Sequence, residues 1–276
     1  VLLDILANDS AIRSRVRKLV VASSMSIYGE GAYHCPVHGT VYPRLRSAEQ
    51  LTARDWELHC PVALTSHNAR NTHHATLDLC SLPLTPIPTP EEKPLHATSI
   101  YAITKKDQEE MCLAVGRAYG IPTVALRYFN VYGSRQALSN PYTGVAAIFS
   151  GRLLNGNPPV IFEDGGQRRD FVHVRDIVQA NLLVMADPAA DYGVFNVGTG
   201  QAWSIREVAD ALIGHLGVAV APEIVAKFRA GDIRHCYAGI SRLAELGYAP
   251  ATPFGDGVAE LIGWVRAQTA VDRYED

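Results

Sequence analysis

Short apolar, β-branched runs punctuate the chain at Lys18-Leu-Val-Val-Ala-Ser23, Thr123-Val-Ala-Leu126, Val160-Ile-Phe162 and Phe195-Asn-Val197. Runs this short, apolar on both faces, suit strands buried under helices in a parallel sheet. Helix-period segments lie around them. Val1, Leu2, Leu3, Ile5 and Leu6 form the end of one helix, closed by the polar break Asn8-Asp9-Ser10. A long helix is predicted from Thr98 or Ser99 to Tyr119, with Gly120 and Pro122 as its stop, and with Met111, Leu113, Ala114 and Tyr119 as its core positions. Gly144 to Leu154 predicts another. Ser204-Ile-Arg-Glu207 is a capping box opening a helix whose Val208, Leu212 and Leu216 form a core stripe. The order of strands and helices places the chain's beginning in the middle of a βα array.

Residues 31–97 break this rhythm. The segment is too long for an ordinary connection, and it holds Cys35, Cys60 and Cys80, seven of the ten histidines and eight of the sixteen prolines. Cys35-Pro-Val-His38 offers two ligands at knuckle spacing, and Cys60 and Cys80 complete a candidate tetrahedral N/S zinc site. His59, His67, His73 and His74 are alternative ligands, and a Pro-rich surface excursion without metal is the competing reading. Five cysteines without regular spacing do not form a disulfide framework, so reduced thiols are expected.

Of the 276 residues, 47% are hydrophobic and 19% charged, with a net charge of −3. This is enough for one good core or two modest ones. The lack of a long basic run argues against a nucleic-acid partner. No apolar run is long enough to span a bilayer, residues 1–20 lack the order of a signal peptide, and a cytoplasmic protein is expected.

The chemistry centres on Tyr101 and Lys105. Four residues apart on the predicted helix, they share a face and their tips can converge. A phenol near pKa 10 is a poor base at neutral pH, but an adjacent ammonium favours its phenolate and makes it a proton carrier for an alcohol or ketone. Upstream, Ser23-Ser24-Met25-Ser26-Ile27-Tyr28-Gly29 puts hydroxyls at the carboxyl end of a strand, where open α/β sheets meet ligands. Downstream, Arg127-Tyr128-Phe129-Asn130-Val131-Tyr132-Gly133 ends the next strand in the same way. Gly29 and Gly31 are expected to mark a plain turn.

With these segments, and with Gly165-Gly-Gln-Arg-Arg169-Asp-Phe-Val-His173-Val-Arg-Asp176 and Arg229-Ala-Gly-Asp232, the sequence resembles the extended short-chain dehydrogenase/reductase superfamily, in its NAD-dependent sugar-nucleotide epimerase/dehydratase branch. The resemblance covers nearly the whole chain outside residues 31–97. It implies an α/β fold with a doubly wound, Rossmann-type parallel sheet and a smaller C-terminal substrate-binding domain. Residues 1–143 would be the later part of the NAD-binding domain, interrupted by the insertion at 31–97, and residues 144–276 would mainly bind the nucleotide-sugar. The dinucleotide-binding glycine turn does not precede Tyr101, so the first part of that domain is expected to be missing and the chain to be N-terminally truncated.

By the same resemblance, Ser24 hydrogen-bonds the reacting sugar hydroxyl and passes its proton towards Tyr101, while Tyr101, Lys105, Tyr128 and Phe129 border the nicotinamide. Ser26 touches the sugar, Asn130 meets the sugar or diphosphate, Arg169 and Arg229 bind phosphate, and Asp232 meets the ribose. Asp170, His173 and Asp176 fix the local turn and the next helix, and the segments at Leu243–Tyr248 and Phe254–Val265 resemble the closing helices of the fold. The family's 4,6-dehydratases carry Asp-Glu after the catalytic hydroxyl residue. Met25 and Ser26 stand there instead, and neither works as an acid or base at neutral pH. Epimerisation or ketone reduction at one carbon is therefore expected.

The insertion directly after the Ser-Ile-Tyr-Gly turn is similar to that of dTDP-L-rhamnose 4-epimerases. A UDP-glucose or UDP-galactose epimerase, an NADPH-dependent keto-sugar reductase, and a non-catalytic fragment that binds nucleotide-sugar or metal are the alternatives. A homodimer is implied by resemblance alone.

Overall fold

The computed structural model describes residues 1–62, 80, 82–138, 144–229, 231–270 and 272. In chain order come α1 (Leu2–Asn8), α2 (Ser10–Arg13), β1 (Leu19–Ser24), β2 (Ala32–Cys35), β3 (Gly39–Val41), α3 (Ala48–Thr52) and β4 (Thr85–Ile87). They are followed by α4 (Ile100–Tyr119), β5 (Thr123–Tyr128), β6 (Asn130–Tyr132), α5 (Val145–Leu154), β7 (Val160–Ile161), β8 (Arg168–Arg169), β9 (Phe171–His173) and α6 (Val174–Ala186). The remaining elements are β10 (Val194–Val197), β11 (Trp203–Ser204), α7 (Ile205–Leu216), β12 (Glu223–Ile224), β13 (His235–Cys236), α8 (Ser241–Glu245) and α9 (Phe254–Val265).

The central sheet is parallel, in the order β1-β5-β10. All six residues of β1 pair in register with β5, from Leu19 opposite Thr123 to Ser24 opposite Tyr128. Val124, Ala125 and Leu126 are fully buried, as expected of a central strand covered on both faces. β10 returns from the second half of the chain to pair with β5, and β6 pairs in parallel with β9, so the two halves are stitched together at the sheet's carboxyl edge. A second core, formed by α5, α7 and α9 around Phe149, Leu212, Phe254, Leu261 and their neighbours, supports the C-terminal half. Ser204 and Glu207 complete the capping box, and Val208 and Leu212 are buried under it. No described helix is long and apolar enough to cross a membrane.

Helix α4 begins and ends as its punctuation predicts. The Ser99 hydroxyl accepts from Ala102 N–H, and Gly120 closes the helix in the left-handed region at φ 66°. Its buried face differs from the expected one: Met111, Ala114 and Tyr119 are exposed, whereas Ala102, Glu109, Cys112, Leu113 and Gly116 are buried. The reason is Arg127 on β5, whose guanidinium forks onto Glu109 at 2.6 and 3.1 Å and also donates to Tyr28 Oη and Glu91 O. A buried arginine requires a carboxylate beside it, and that pairing turns the 109–113–116 face inward.

Among the described residues of the 31–97 segment, β2, β3 and β4 form a small antiparallel sheet in the order β3-β2-β4. The segment is joined to the C-terminal half through buried charge. Arg46 forks onto Glu163 at 2.7 and 2.8 Å, and Arg234 donates to Glu163 at 2.9 Å, to Asp164 at 2.7 and 2.9 Å and to Glu57 at 2.6 Å. Glu30, also buried, accepts from Arg234 N–H and Tyr33 Oη–H. The glycines beside Glu30 are more than a turn. A Cβ on Gly31 would lie 2.7 Å from His235 O, and one on Gly29 2.6 Å from His96 O, so both admit a second stretch of backbone at close range.

Burial raises the pKa of Glu57, but hydrogen bonds from His235 and Arg234 outweigh it and bring the carboxyl down to about 2. Burial pushes His235 below its ordinary value, so its protonation opposes the fold only as pH falls through the ordinary histidine range. The Glu57 contribution is complete above the ordinary carboxyl value of 4.5 and is lost as pH falls towards about 2. Thermal melts from pH 6 to pH 3 should therefore show a steep loss of Tm in the wild type and a shallower one below about pH 4.5 in Glu57→Gln; equal slopes would remove Glu57 from the acid response.

Candidate functional site

Two cavities meet at the carboxyl edge of the central sheet. The first, of about 310 Å³, is walled by Ala22, Ser23 and Ser24 from β1, by Tyr101 and Lys105 from α4, by Tyr128 at the end of β5, and by Phe129 and Asn130 where the chain passes into β6. The parallel register sets Ser24 beside Tyr128. Lys105 Nζ donates to Ala22 O at 2.9 Å, which ties the first turns of α4 to the end of β1. Its ammonium lies 6.0 Å from the centre of the Tyr101 ring. Tyr101 is 56% exposed, leaving its phenol open to the cavity.

Ser24 is the last residue of β1 and caps the short turn Met25–Tyr28. Its oxygen accepts from Ser26 N–H at 3.2 Å and from Ser26 Oγ–H at 2.9 Å. With both acceptor positions used, the Ser24 hydroxyl proton is left to donate. Ser26 itself does not line either cavity; its hydroxyl is turned onto Ser24.

The second cavity, of about 340 Å³, is bounded by Asn130, Phe162, Gln167, Arg169, Arg229 and Asp232, with apolar walls from α5. Asn130 and Val145 line both cavities, and Asn130 is the polar group where they adjoin. The Arg229 guanidinium stacks over the Phe162 ring at 4.2 Å. Arg169 donates to Ile233 O at 2.7 Å and Arg234 O at 2.9 Å, bracing the segment that carries Asp232. Two planar cations at one cavity suit an anion of the diphosphate type. The residues expected to fix the surrounding backbone do so: buried Asp170 accepts from Thr199, Gly200 and Ala238 N–H, His173 caps α6, and Asp176 accepts from Ala251 N–H.

In the insertion, Cys35, His38, Cys60 and Cys80 converge. Their four donor atoms lie within 4.8 Å of one another. Cys35 Sγ is 3.6 Å from Cys80 Sγ and from His38 Nδ1, and His38 Nδ1 is 3.3 Å from both Cys60 Sγ and Cys80 Sγ. A tetrahedral zinc with bonds of about 2.3 Å to sulfur and about 2.0 Å to nitrogen separates its ligands by about 3.5–3.8 Å. Burial raises the Cys35 thiol, but hydrogen bonds from Val37 and His38 N–H and from the His38 and Cys60 side chains bring it down to about 6. His59 is engaged elsewhere, with Asp55 at 2.8 Å, and His67, His73 and His74 lie outside the described residues.

Sequence reasoning leaves Arg234 without a role and does not single out Arg46, Glu57, Glu109, Arg127 or Glu163. An Arg or Glu among many carries no signal of burial; the partners of Arg234 are 70 and 177 residues away. The one clue is the concentration of charge in the 163–169 and 229–235 segments.

Residues 80–198 match the model of the NAD dependent epimerase/dehydratase family. The chain is 34% identical over 251 residues to a dTDP-L-rhamnose 4-epimerase of Burkholderia thailandensis, covering 91% of this chain and 63% of that protein. It is 36% identical over 182 residues to a UDP-glucose 4-epimerase of Mycolicibacterium smegmatis, covering 65% of this chain and 56% of that one. The chain thus spans less than two thirds of the length of either relative. Among solved structures, UDP-glucose 4-epimerase of Thermotoga maritima with UDP-glucose superposes with a TM-score of 0.66 at 26% identity, covering 96% of this chain and 74% of that one. UDP-glucose 4-epimerase of Thermus thermophilus in complex with NAD gives 0.64 at 27% identity, with coverages of 96% and 68%.

Proposed function

We propose that the chain is a member of the NAD dependent epimerase/dehydratase family, whose model its residues 80–198 match, and that it is a NAD-dependent nucleotide-sugar 4-epimerase, with a dTDP-6-deoxy-sugar such as dTDP-L-rhamnose as its substrate. The observation that carries this reading is the junction of the two cavities, with Ser24, Tyr101 and Lys105 in one, Arg169, Arg229 and Asp232 in the other, and Asn130 in both. A sugar at the junction would extend its nucleotide diphosphate into the second cavity and its reacting carbon towards Tyr101. The similarity to the Burkholderia protein extends over 91% of the chain, whereas that to the Mycolicibacterium enzyme stops at 65%, which favours the deoxy-sugar over UDP-glucose.

The residues of the first cavity fit a nicotinamide cofactor. Ser23 Oγ and Asn130 Oδ1 are buried there without a hydrogen-bond partner among the described residues, and buried polar atoms of this kind call for one. Tyr101, Lys105, Tyr128 and Phe129 would hold the group. When bound, NAD supplies the acceptor and donor for the hydride that leaves and returns at the sugar carbon. The protein's own task is the proton. Ser24, its oxygen occupied by Ser26, donates a hydrogen bond to the sugar oxygen and holds it in place, while the Tyr101 phenolate takes that oxygen's proton and gives it back when the alcohol re-forms. Lys105, fixed by Ala22 O, places a positive charge where the phenolate forms. Arg169 and Arg229 neutralise the diphosphate, and Asp232 meets the ribose.

Cys35, His38, Cys60 and Cys80 would bind a structural zinc. Four protein ligands leave no open position for catalysis, and the metal would reinforce the small core that Tyr33, Val41, Leu58 and Leu84 form around the three thiols.

Incubation with NAD+ and dTDP-L-rhamnose, followed by proton NMR of the sugar, should show the C4 epimer accumulating. Turnover of UDP-glucose alone would move the substrate assignment, and turnover of neither by a chain that calorimetry shows to bind both NAD+ and the nucleotide-sugar would overturn the activity. Tyr101→Phe should lower kcat by about 10²–10⁴-fold with little effect on nucleotide-sugar affinity. For the metal, elemental analysis should find about one zinc per chain, absent from Cys35→Ser, whose Tm should fall by several degrees. A metal-free wild type of unchanged stability would refute the zinc.

A further inference from the structure

We propose that Arg46, in the insertion, is a positioning residue for the nucleotide-diphosphate end of the substrate, acting through the segment that carries Arg229 and Asp232. The inference rests on reading the second cavity as the nucleotide-sugar site. Arg46 lines neither cavity, yet its Nη2 donates to Asp232 O at 3.2 Å and, with Nη1, forks onto Glu163. Asp232 and Ile233 form one wall of the second cavity, and Phe162, adjacent to Glu163, forms another under the Arg229 guanidinium. One guanidinium therefore holds two walls of the cavity from behind. Arg169 braces the 229–233 segment as well, through Ile233 O and Arg234 O.

Two further observations mark this as a fixed point. The Arg46 side chain is fully buried and that of Glu163 is 1% exposed, so neither can exchange its partner for water. Glu163 also adopts φ 55°, a left-handed conformation uncommon for a non-glycine residue. Arg46 and Arg234 hold its carboxylate, and Glu163 N–H donates to Lys227 O at 2.7 Å, two residues before Arg229. The insertion thus reaches the substrate through the backbone of the phosphate-binding segment.

The test compares the wild type with Arg46→Met and Arg46→Lys, titrating UDP and dTDP by calorimetry and following amide hydrogen exchange. Arg46→Met should weaken nucleotide binding by about tenfold or more, with exchange accelerated at Asp232 and Ile233 and unchanged in β1 and β5. Arg46→Lys should fall between, because one ammonium cannot fork a carboxylate and reach a third acceptor. Wild-type affinity in either folded variant, or exchange raised throughout the chain, would overturn the proposal. If Arg46→Met fails to fold, Arg46→Lys decides it alone. A wild type that binds neither nucleotide removes the reading of the cavity, and this inference with it; a wild type that binds while the variants bind equally removes only the inference.

Discussion

The buried Arg46–Glu163–Arg234 interaction is the constraint on which the arrangement of this molecule depends. Two guanidiniums share one carboxylate in the interior, and Asp164 and Glu57 complete the neutralisation at the edge. Removing one member of such a set leaves an uncompensated charge in a poorly solvated place, which costs about 3–5 kcal/mol. Because the members come from the insertion, from just after β7 and from just before β13, the set can be satisfied in only one relative placement of the three. It specifies where the insertion sits as much as it stabilises it.

That placement explains why a long excursion between β1 and α4 leaves the sheet edge undisturbed. The insertion departs after Tyr28 and returns before Ser99, and the backbone of Gly31, Thr89 and Gly239 joins its two ends to the 235–239 segment by direct hydrogen bonds. The carboxyl ends of β1 and β5 stay open to the two cavities. A second buried set, Arg127 with Glu109, Tyr28 and Asn196, does the same work between α4, β5 and β10. It fixes the rotation of α4 about its axis, and that rotation decides where Tyr101 and Lys105 point.

The separation of roles in the site follows from the same geometry. Groups suited to handling a proton stand on the end of the parallel sheet and on the first turns of α4, where regular hydrogen bonding holds the backbone. Of the groups suited to a diphosphate, Arg169 stands on the two-residue strand β8, whereas Arg229 and Asp232 stand on an irregular segment that arginines hold by donating to its backbone carbonyls. Arg169 is an example: it lines the cavity and at the same time braces the chain that forms the neighbouring wall.

Much of this was legible in the sequence. Local rules placed β1, β5, the ends of α4 and the Ser204 capping box, because apolar runs, caps and stop signals act within a few residues of one another. The Tyr101–Lys105 pair could be read for the same reason, since helix spacing alone puts the two on one face. Cys35, His38, Cys60 and Cys80 could be named from residue type, but whether they met depended on folding of the β2–β4 sheet. The buried face of α4, the role of Arg234, the close chain passage at Gly31 and the placement of Ser26 against Ser24 were decided by tertiary structure. Each depends on a partner whose position is set by packing, and the energy of a charge or a polar hydrogen depends on whether water has been removed around it. Residue order determined which chemistry the chain carries; burial and long-range pairing decided which of those groups face the cavities and which hold the fold around them.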